Sequence, residues 1–332
     1  MKRTLSVAAA VLISFVLLAY AFRNVDFREV FRILSGVRLG WLPLLVAVGV
    51  SDLWIRAWRW KLLLAPVAEA GSWTLFKLQA VGLGLNNLLF LRIGEFARGY
   101  FAGKVLGIGL WSALSTILIE RLCDMAALLV LFGVSSASLG TAISPALRHG
   151  ALFAAAGVLV LLFGVTMAEH ALDRLEAWKR LPERHPKVHR LVEELILGSK
   201  ALRAPGRAAG VAALSFALWL CDALIYWGGA QALGFDPPIS YPRAVSVLAA
   251  AAGAVALPAL PGAFGNFEAG VKAILVHYGY NSELALSYAT FLHLVMYAVV
   301  TSLGIFFLHG LGYNLAGLGR RLGEAQAEAE KP

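Results

Sequence analysis

The sequence predicts an all-α polytopic membrane protein with about six transmembrane helices and two opposed re-entrant hairpins. Three observations carry that expectation. Hydrophobic residues fill 59% of the 332 positions, and mean hydropathy is +0.73. Several apolar stretches approach or exceed the ~20 residues needed to cross hydrocarbon, and they are continuous rather than the ~10-residue alternating segments of a β-barrel. Two further apolar regions are too short or too broken to cross. The net charge of +9 lies mostly between the apolar runs, so it reads as an orientation signal and no nucleic acid is expected.

Taken in order, the N-terminus "MKRTLSVAAAVLISFVLLAYAF" has a basic start, an apolar run and an Ala19-x-Ala21 end. A cleaved signal peptide has that form, but the run is long for one, and a retained first span over 4–22 is expected. Residues 23–40 hold Arg23, Arg28, Arg32 and Arg38, while Phe27, Val30, Phe31 and Leu34 recur at i, i+3, i+4 and i+7. That pattern predicts an interfacial amphipathic helix. Further spans are expected at 41–64, 110–136, 150–168, 207–234 and 284–312.

Region 73–104 contains an apolar run of only fourteen residues, 78–91, interrupted by Gly82, Gly84, Asn86 and Asn87. Region 240–280 is broken by Pro258, Pro261, Gly262 and Gly265. The loop 169–207 carries Arg174, Lys179, Arg180, Arg184, Lys187, Arg190, Lys200, Arg203 and Arg207, which places it in the cytoplasm. Counting spans from that loop, region 73–104 begins and ends inside, and region 240–280 begins and ends outside. The arginines of 23–40 fall outside on the same count, against the positive-inside trend. Both termini are expected in the cytoplasm of a bacterial-type inner membrane. Residues 1–312 form one domain, with 313–332 (including Arg320 and Arg321) a short tail.

Opposed hairpins predict an inverted repeat with halves 41–136 and 207–312. "SDLWIRAW" and "CDALIYWG" each set an aspartate, Asp52 or Asp222, three residues before an isoleucine.

Ionisable side chains at membrane depth are costly and face a cavity or a partner. Arg92, Glu95 and Arg98 share one helical stripe, Asp52, Arg56 and Arg59 a second, and Glu120, Arg121 and Asp124 a third. Glu268 and Lys272 stand as an i, i+4 pair. In one reading these charges neutralise one another and pin helices together. In the other, a break at Asn86–Asn87, with Gly94 beyond it, starts a second half-helix. Its N-terminal N–H groups, with Arg92 and Arg98, then make an anion site for a lipid headgroup. Two arginines to one glutamate leave a positive excess there unless Glu120 or Asp124 supplies the missing charge. Asn266 and Glu268 are the outward counterpart, with Glu268 a candidate protonation site. His293 reads as a hydrogen-bonded core residue, with a proton relay as the alternative.

The motifs "GLNNLLFLRIGEFARGYFAGK", "STILIERLCDMAALLVL" and "LPALPGAFGNFEAG", in that order, resemble the flippase-like transmembrane family. That family includes the membrane region of lysylphosphatidylglycerol synthases and stand-alone relatives associated with hopanoid or polyprenyl-lipid pathways. The resemblance implies re-entrant helices beside a central cavity and movement of lipid between leaflets. It maps onto Asn86, Asn87, Arg92, Gly94, Glu95, Arg98, Glu120, Arg121, Asp124, Pro261, Gly262, Gly265 and Glu268. In the family pattern a proline closely precedes the first hairpin's arginine; Phe90 and Leu91 stand there in this chain. The synthases also carry a large soluble aminoacyl-transfer domain. Only about twenty residues follow the last span here, so synthetic activity is not expected.

The expected function is therefore an integral membrane transporter moving a phospholipid, a polyprenyl-phosphate-linked lipid or a hopanoid-type lipid. One alternative is a non-transporting accessory of a lipid-modifying enzyme, docked through the basic loop with "VHRLVEELILGSKALR" as an interfacial helix. That loop reads more simply as an orientation signal and solvated linker. The other alternative is a lipid-phosphate enzyme using Glu95, Glu120 and Asp124 as acid/base or metal groups. No HExxH or DG-x2-AR carboxylate run supports it, so no enzyme, cofactor or metal is expected. Cys123 and Cys221 both sit within apolar helices, and no disulfide framework is expected.

Overall fold

Twelve α-helices account for most of the chain in a computed structural model, which describes residues 2–90, 93–139, 143–172 and 186–313. They are α1 (Lys2–Phe22), α2 (Phe27–Ser35), α3 (Leu42–Leu64), α4 (Ser72–Leu88), α5 (Ile93–Leu106) and α6 (Leu110–Ala137). The second half comprises α7 (Pro145–Leu172), α8 (Pro186–Ser199), α9 (Pro205–Leu233), α10 (Tyr241–Ala256), α11 (Asn266–His277) and α12 (Ser282–Gly310). No strand occurs among the described residues.

Among the described residues, four helical stretches are both long and apolar enough to span: Leu39–Leu64, Pro145–Ala168, Pro205–Leu233 and Ser282–Gly310. They match four of the six expected spans. Of the other two, α6 has the length, at 28 residues, but carries Glu120, Arg121 and Asp124 in its middle. The apolar part of α1, Val11–Phe22, is short.

Helix α2 forms as its periodicity predicts. The Asp26 side chain caps it by accepting from the Arg28 N–H at 2.8 Å, and Val30 is buried against the body of the protein. Phe27 and Phe31 point outward, as an interfacial helix requires. On the exposed face the Arg32 guanidinium holds the Glu29 carboxyl below its ordinary pKa.

The first hairpin is α4 and α5 packed antiparallel: Gln79 meets Arg98, and Gly82 meets both Gly94 and Arg98. Its break falls later than expected. Asn86 and Asn87 form the last turn of α4, which runs on to Leu88 before Leu89 turns extended. They do not begin the second half-helix: both lie inside α4, and Asn87 donates across to Thr301 Oγ1 of α12 at 2.9 Å. Nor is Gly94 the break. It lies inside α5, where a Cβ would collide with the Gly82 carbonyl oxygen and come within 2.6 Å of the Asn86 nitrogen. Its role is close approach of two backbones.

The second hairpin, α10 and α11, also packs antiparallel, with Gly270 against Ala250 and Ala254. Its break lies at the expected residues. Pro258 follows the end of α10, and Pro261 opens a single 3₁₀ turn. Gly262 and Gly265 take φ of 70° and 88°, values that L-residues with a Cβ rarely adopt.

The two hairpins approach the middle of α12 from opposite ends. Trp73, at the open end of the first, packs on Phe307, and its tip reaches Thr301 through Asn87. The second joins the start of α12 by a short turn, and its tip reaches His293 and Tyr297 through Gly262 and Phe264. Helices α3 and α9 run antiparallel, with Leu45 beside Gly228 and Leu62 beside Gly210. Buried side chains divide accordingly. One core gathers mainly around α3–α6, a second around α9–α12, and a small third joins α1 and α2 to α11 and α12.

The basic loop is not a solvated linker where it is described. Helix α8 packs on α6 and α7: Ile196 is buried, Gly198 abuts Ser115, and in the turn just after α8 Arg203 Nε donates to the Thr166 carbonyl at 3.0 Å. The small residues at this contact let the helices close on one another. Arg174, Lys179, Arg180 and Arg184, with tail residues Arg320 and Arg321, lie outside the described residues.

Candidate functional site

The three predicted stripes converge. Arg59 of α3, fully buried, lies 2.5 Å from Asp124 and 3.5 Å from Glu120 on α6, and donates to Ser215 of α9 at 3.1 Å. Arg98 of α5 lies 3.1 Å from the same Glu120 carboxylate and also donates to Gln79 Oε1 of α4. The Arg98 guanidinium sits 4.5 Å over the Trp60 ring, whose indole N–H is fixed on Thr116. Arg121 reaches Glu95 at 3.2 Å and both Glu120 and Asp124 at 3.3 Å. Nearby, Arg56 bridges Asp52 at 2.7 Å and Asp222 at 3.6 Å.

Among the described residues, then, Arg56, Arg59, Arg98 and Arg121 face Asp52, Asp222, Glu95, Glu120 and Asp124. Carboxylates outnumber guanidiniums by one, so the first hairpin has no positive excess in this set. Glu120 and Asp124 supply the counter-charge. Arg92 lies outside the described residues.

The network is graded in exposure. Arg59, Arg98, Glu120 and Asp124 are sealed, whereas the Arg121 and Glu95 side chains keep 31% and 29% of their surface open. Asn86 is partly open, and its Oδ1 accepts no hydrogen bond. Glu95 stands in the first turn of α5, where a carboxylate complements the helix dipole. The open part of the network is therefore Glu95 and Arg121, while the Asn86 Oδ1 beside them in the hairpin is itself buried. Buried arginines paired this closely position helices, while a half-exposed one can exchange a carboxylate for a headgroup.

At the second tip, Glu268 Oε2 accepts the Gly265 N–H at 2.7 Å, and Oε1 lies 2.5 Å from His293 Nδ1. His293 Nε2 lies 2.8 Å from the Gly262 carbonyl, with Phe264 stacked on the ring at 4.5 Å. The expected Glu268–Lys272 pair does not form. Lys272 instead donates to the carbonyls of Ala21 and Arg23, at 2.9 and 3.0 Å. The end of α1 offers carbonyls with no helical partner, and an ammonium satisfies them. Asn266 is fully buried, bonding the Ala254 and Pro258 carbonyls and the Ser14 hydroxyl. It closes the loop and has no open surface.

Three participants escaped the motif search. Gln79 is buried between Arg98 and Glu120; its one signal was an amide in an otherwise apolar run. Tyr297 and Thr301 follow His293 at i+4 and i+8 on α12, and Tyr297 OH donates to the Asn87 carbonyl at 3.4 Å. One face of α12 thus touches both hairpin tips. Among the described residues, no three His, Cys, Asp or Glu side chains are grouped to hold a metal ion.

Residues 7–304 match the family described as the lysylphosphatidylglycerol synthase TM region. The chain is also 28% identical, over 285 residues, to a UPF0104 membrane protein of Methanothermobacter thermautotrophicus, covering 80% of this chain and 81% of that one.

Proposed function

The chain belongs to the lysylphosphatidylglycerol synthase transmembrane-region family, and from that premise we propose that it moves a lipid between membrane leaflets. It is a multi-pass membrane protein, and the reading puts it in a bacterial-type inner membrane. The observation that carries the reading is the meeting of two broken hairpins at the middle of α12, which they approach from opposite ends. With α12 across the membrane, both hairpins are re-entrant and enter from opposite faces. Non-helical backbone at that depth is tolerated where it is buried in protein or lines a cavity.

The packing supports an inverted repeat. Exchanging α3–α6 with α9–α12 maps the helix pairs onto one another. Packing of α4 on α12 corresponds to α10 on α6, α3 on α4 to α9 on α10, and α5 on α6 to α11 on α12. The equivalent helices α3 and α9 run antiparallel, as inversion requires, and their aspartates Asp52 and Asp222 meet on Arg56. Alternating access then works by rocking one half against the other.

The headgroup contact in this reading is the open part of the charge network: Glu95 and Arg121. Donors and acceptors stand side by side there, which suits a headgroup with phosphate and polar groups together. Candidates remain a phospholipid, a polyprenyl-phosphate-linked lipid or a hopanoid-type lipid. The test is leaflet exchange of headgroup-labelled lipids in liposomes carrying the purified protein. Exchange in wild type that drops at least tenfold in Arg121→Ala and Glu95→Gln, with folding intact, supports the reading. Absence of exchange for every class of lipid overturns it.

A further inference from the structure

We propose that Glu268 and His293 share one titratable proton at the tip of the second hairpin, and that this proton is the coupling ion for lipid movement. The second half of the proposal rests on the transport reading above.

The proton count follows from the hydrogen bonds. A carbonyl oxygen only accepts, so His293 Nε2, 2.8 Å from the Gly262 carbonyl, carries a hydrogen. A neutral imidazole has a single N–H, so Nδ1 would then present a bare lone pair. Yet Nδ1 stands 2.5 Å from Glu268 Oε1. A lone pair facing a carboxylate oxygen at that distance is repulsive, and a proton between them removes the repulsion. Imidazolium with carboxylate and neutral imidazole with carboxylic acid are two placements of the same proton. Geometry fixes the count whichever holds. The other carboxyl oxygen is committed to the Gly265 N–H at 2.7 Å.

Among the described residues, few groups compete for this proton. Helix α1 faces the tip with the Ser14 hydroxyl, which contacts Asn266 and the Leu260 N–H. Helix α10 has no ionisable side chain after Arg243, which lies beside Tyr278 at the far end of the hairpin. From α9, Tyr226 packs on Phe267, and α12 itself adds Tyr297 beside His293. Of the first hairpin's described residues, the neutral Asn87 approaches. On α11, Lys272 is turned away to the Ala21 and Arg23 carbonyls. Glu268 and His293 are 5% and 8% exposed, so a proton reaches them but bulk water does not screen them.

Losing the proton leaves His293 one N–H for two acceptors. It must release either Glu268 or Gly262, and both hold the turn closed. Gly262 packs on Tyr297, whose hydroxyl holds Asn87 of the first tip. Proton release at the second tip therefore loosens the contact that joins both tips through α12. Rebinding restores it. The chemistry balances as a plain proton transfer, taken from one side and returned to the other.

Two measurements test this on the full-length protein. The first is ¹⁵N NMR of histidine-labelled protein in nanodiscs across pH, with His293→Gln to assign the signal and Glu268→Gln as partner. The expected result is a His293 ring that gains or loses hydrogen-bonded proton character in one step, displaced at least tenfold in proton affinity by Glu268→Gln. A ring that stays singly protonated beside an ionised Glu268 throughout, or a step unmoved by Glu268→Gln, overturns the shared proton. The second is exchange of labelled phosphatidylglycerol, phosphatidylethanolamine, polyprenyl-phosphate and hopanoid-type lipids in liposomes with an imposed pH gradient. The gradient should bias wild-type exchange several-fold and have no effect on Glu268→Gln, whose amide mimics the protonated acid. Wild-type exchange indifferent to the gradient overturns the coupling and leaves the transport reading standing. No exchange of any lipid overturns the transport reading and the coupling with it, and the NMR titration alone then decides the shared proton.

Discussion

The Arg98 guanidinium lies 3.1 Å from the Glu120 carboxylate, joining α5 to α6 where neither side chain has appreciable contact with solvent. A pair of this kind is not a net gain over well-packed apolar residues, but breaking it removes one of the three arginines that neutralise Glu120. It thereby specifies which helices meet.

Arg98→Ala leaves Glu120 with Arg59 and Arg121 and should lower stability by about 1–3 kcal/mol, the usual cost of losing a buried hydrogen bond to a charged group. Thermal unfolding in detergent measures it. Adding Glu120→Gln to Arg98→Met should recover part of the loss, so the double variant is less damaged than the two singles summed. Strict additivity would remove the pair as the cause.

The two aspartates on Arg56 are not equivalent. Asp52 contacts it at 2.7 Å through Nε, and Asp222 at 3.6 Å through the other end of the fork. Asp52→Asn should therefore destabilise more than Asp222→Asn, in the same unfolding assay. The reverse order would mean that the longer contact carries the α3–α9 interface.

Gly94→Ala should abolish folding or lower the melting point sharply, because the new methyl meets the Gly82 carbonyl. Backbone cannot move aside as a side chain can. Gly253→Ala on α10 is the control: nothing lies within 4 Å of its added Cβ, and a helical Gly→Ala is worth about 0.5–1 kcal/mol of stabilisation. Size-exclusion profiles and melting points of the two variants decide it.

Lys272→Met should leave the hairpins intact but release the end of α1. Amide hydrogen exchange over residues 21–24 is expected to rise at least tenfold, with α3 and α9 unchanged. Unchanged protection at 21–24 would show that Ser14 and the apolar contacts of α1 hold it unaided.

The long apolar runs and the second hairpin were legible because Pro258, Pro261 and the two glycines act on their own neighbours. The charge stripes were legible as stripes, since helical spacing is local. Their partners were not. Arg59 finds Asp124 across 65 positions, and Lys272 finds a backbone carbonyl 251 positions away that no side-chain pattern marks. The i, i+4 rule gave Lys272 the wrong partner because it weighs only neighbours on one helix. The first break was read too early for a similar reason. Asn86 and Asn87 look like a helix start, whereas they close α4, and Asn87 meets the distant Thr301.

The charges on α6 also bear on how the chain is made. Each ionisable residue at a helix centre costs about 2.5–3.5 kcal/mol on translocon-insertion scales, so a helix with Glu120, Arg121 and Asp124 is a poor independent client of the insertion machinery. Synthesis runs from the N-terminus, and Arg59 and Arg98 are already made when Glu120 leaves the ribosome. Helix α6 thus enters a site its predecessors have lined with arginine. A nascent chain ending after Ala137 should lodge α6 efficiently, and the same chain with Arg59 and Arg98 replaced by leucine should not, as glycosylation mapping would record. Biogenesis order, on this view, is written into which helix carries the acids and which the bases.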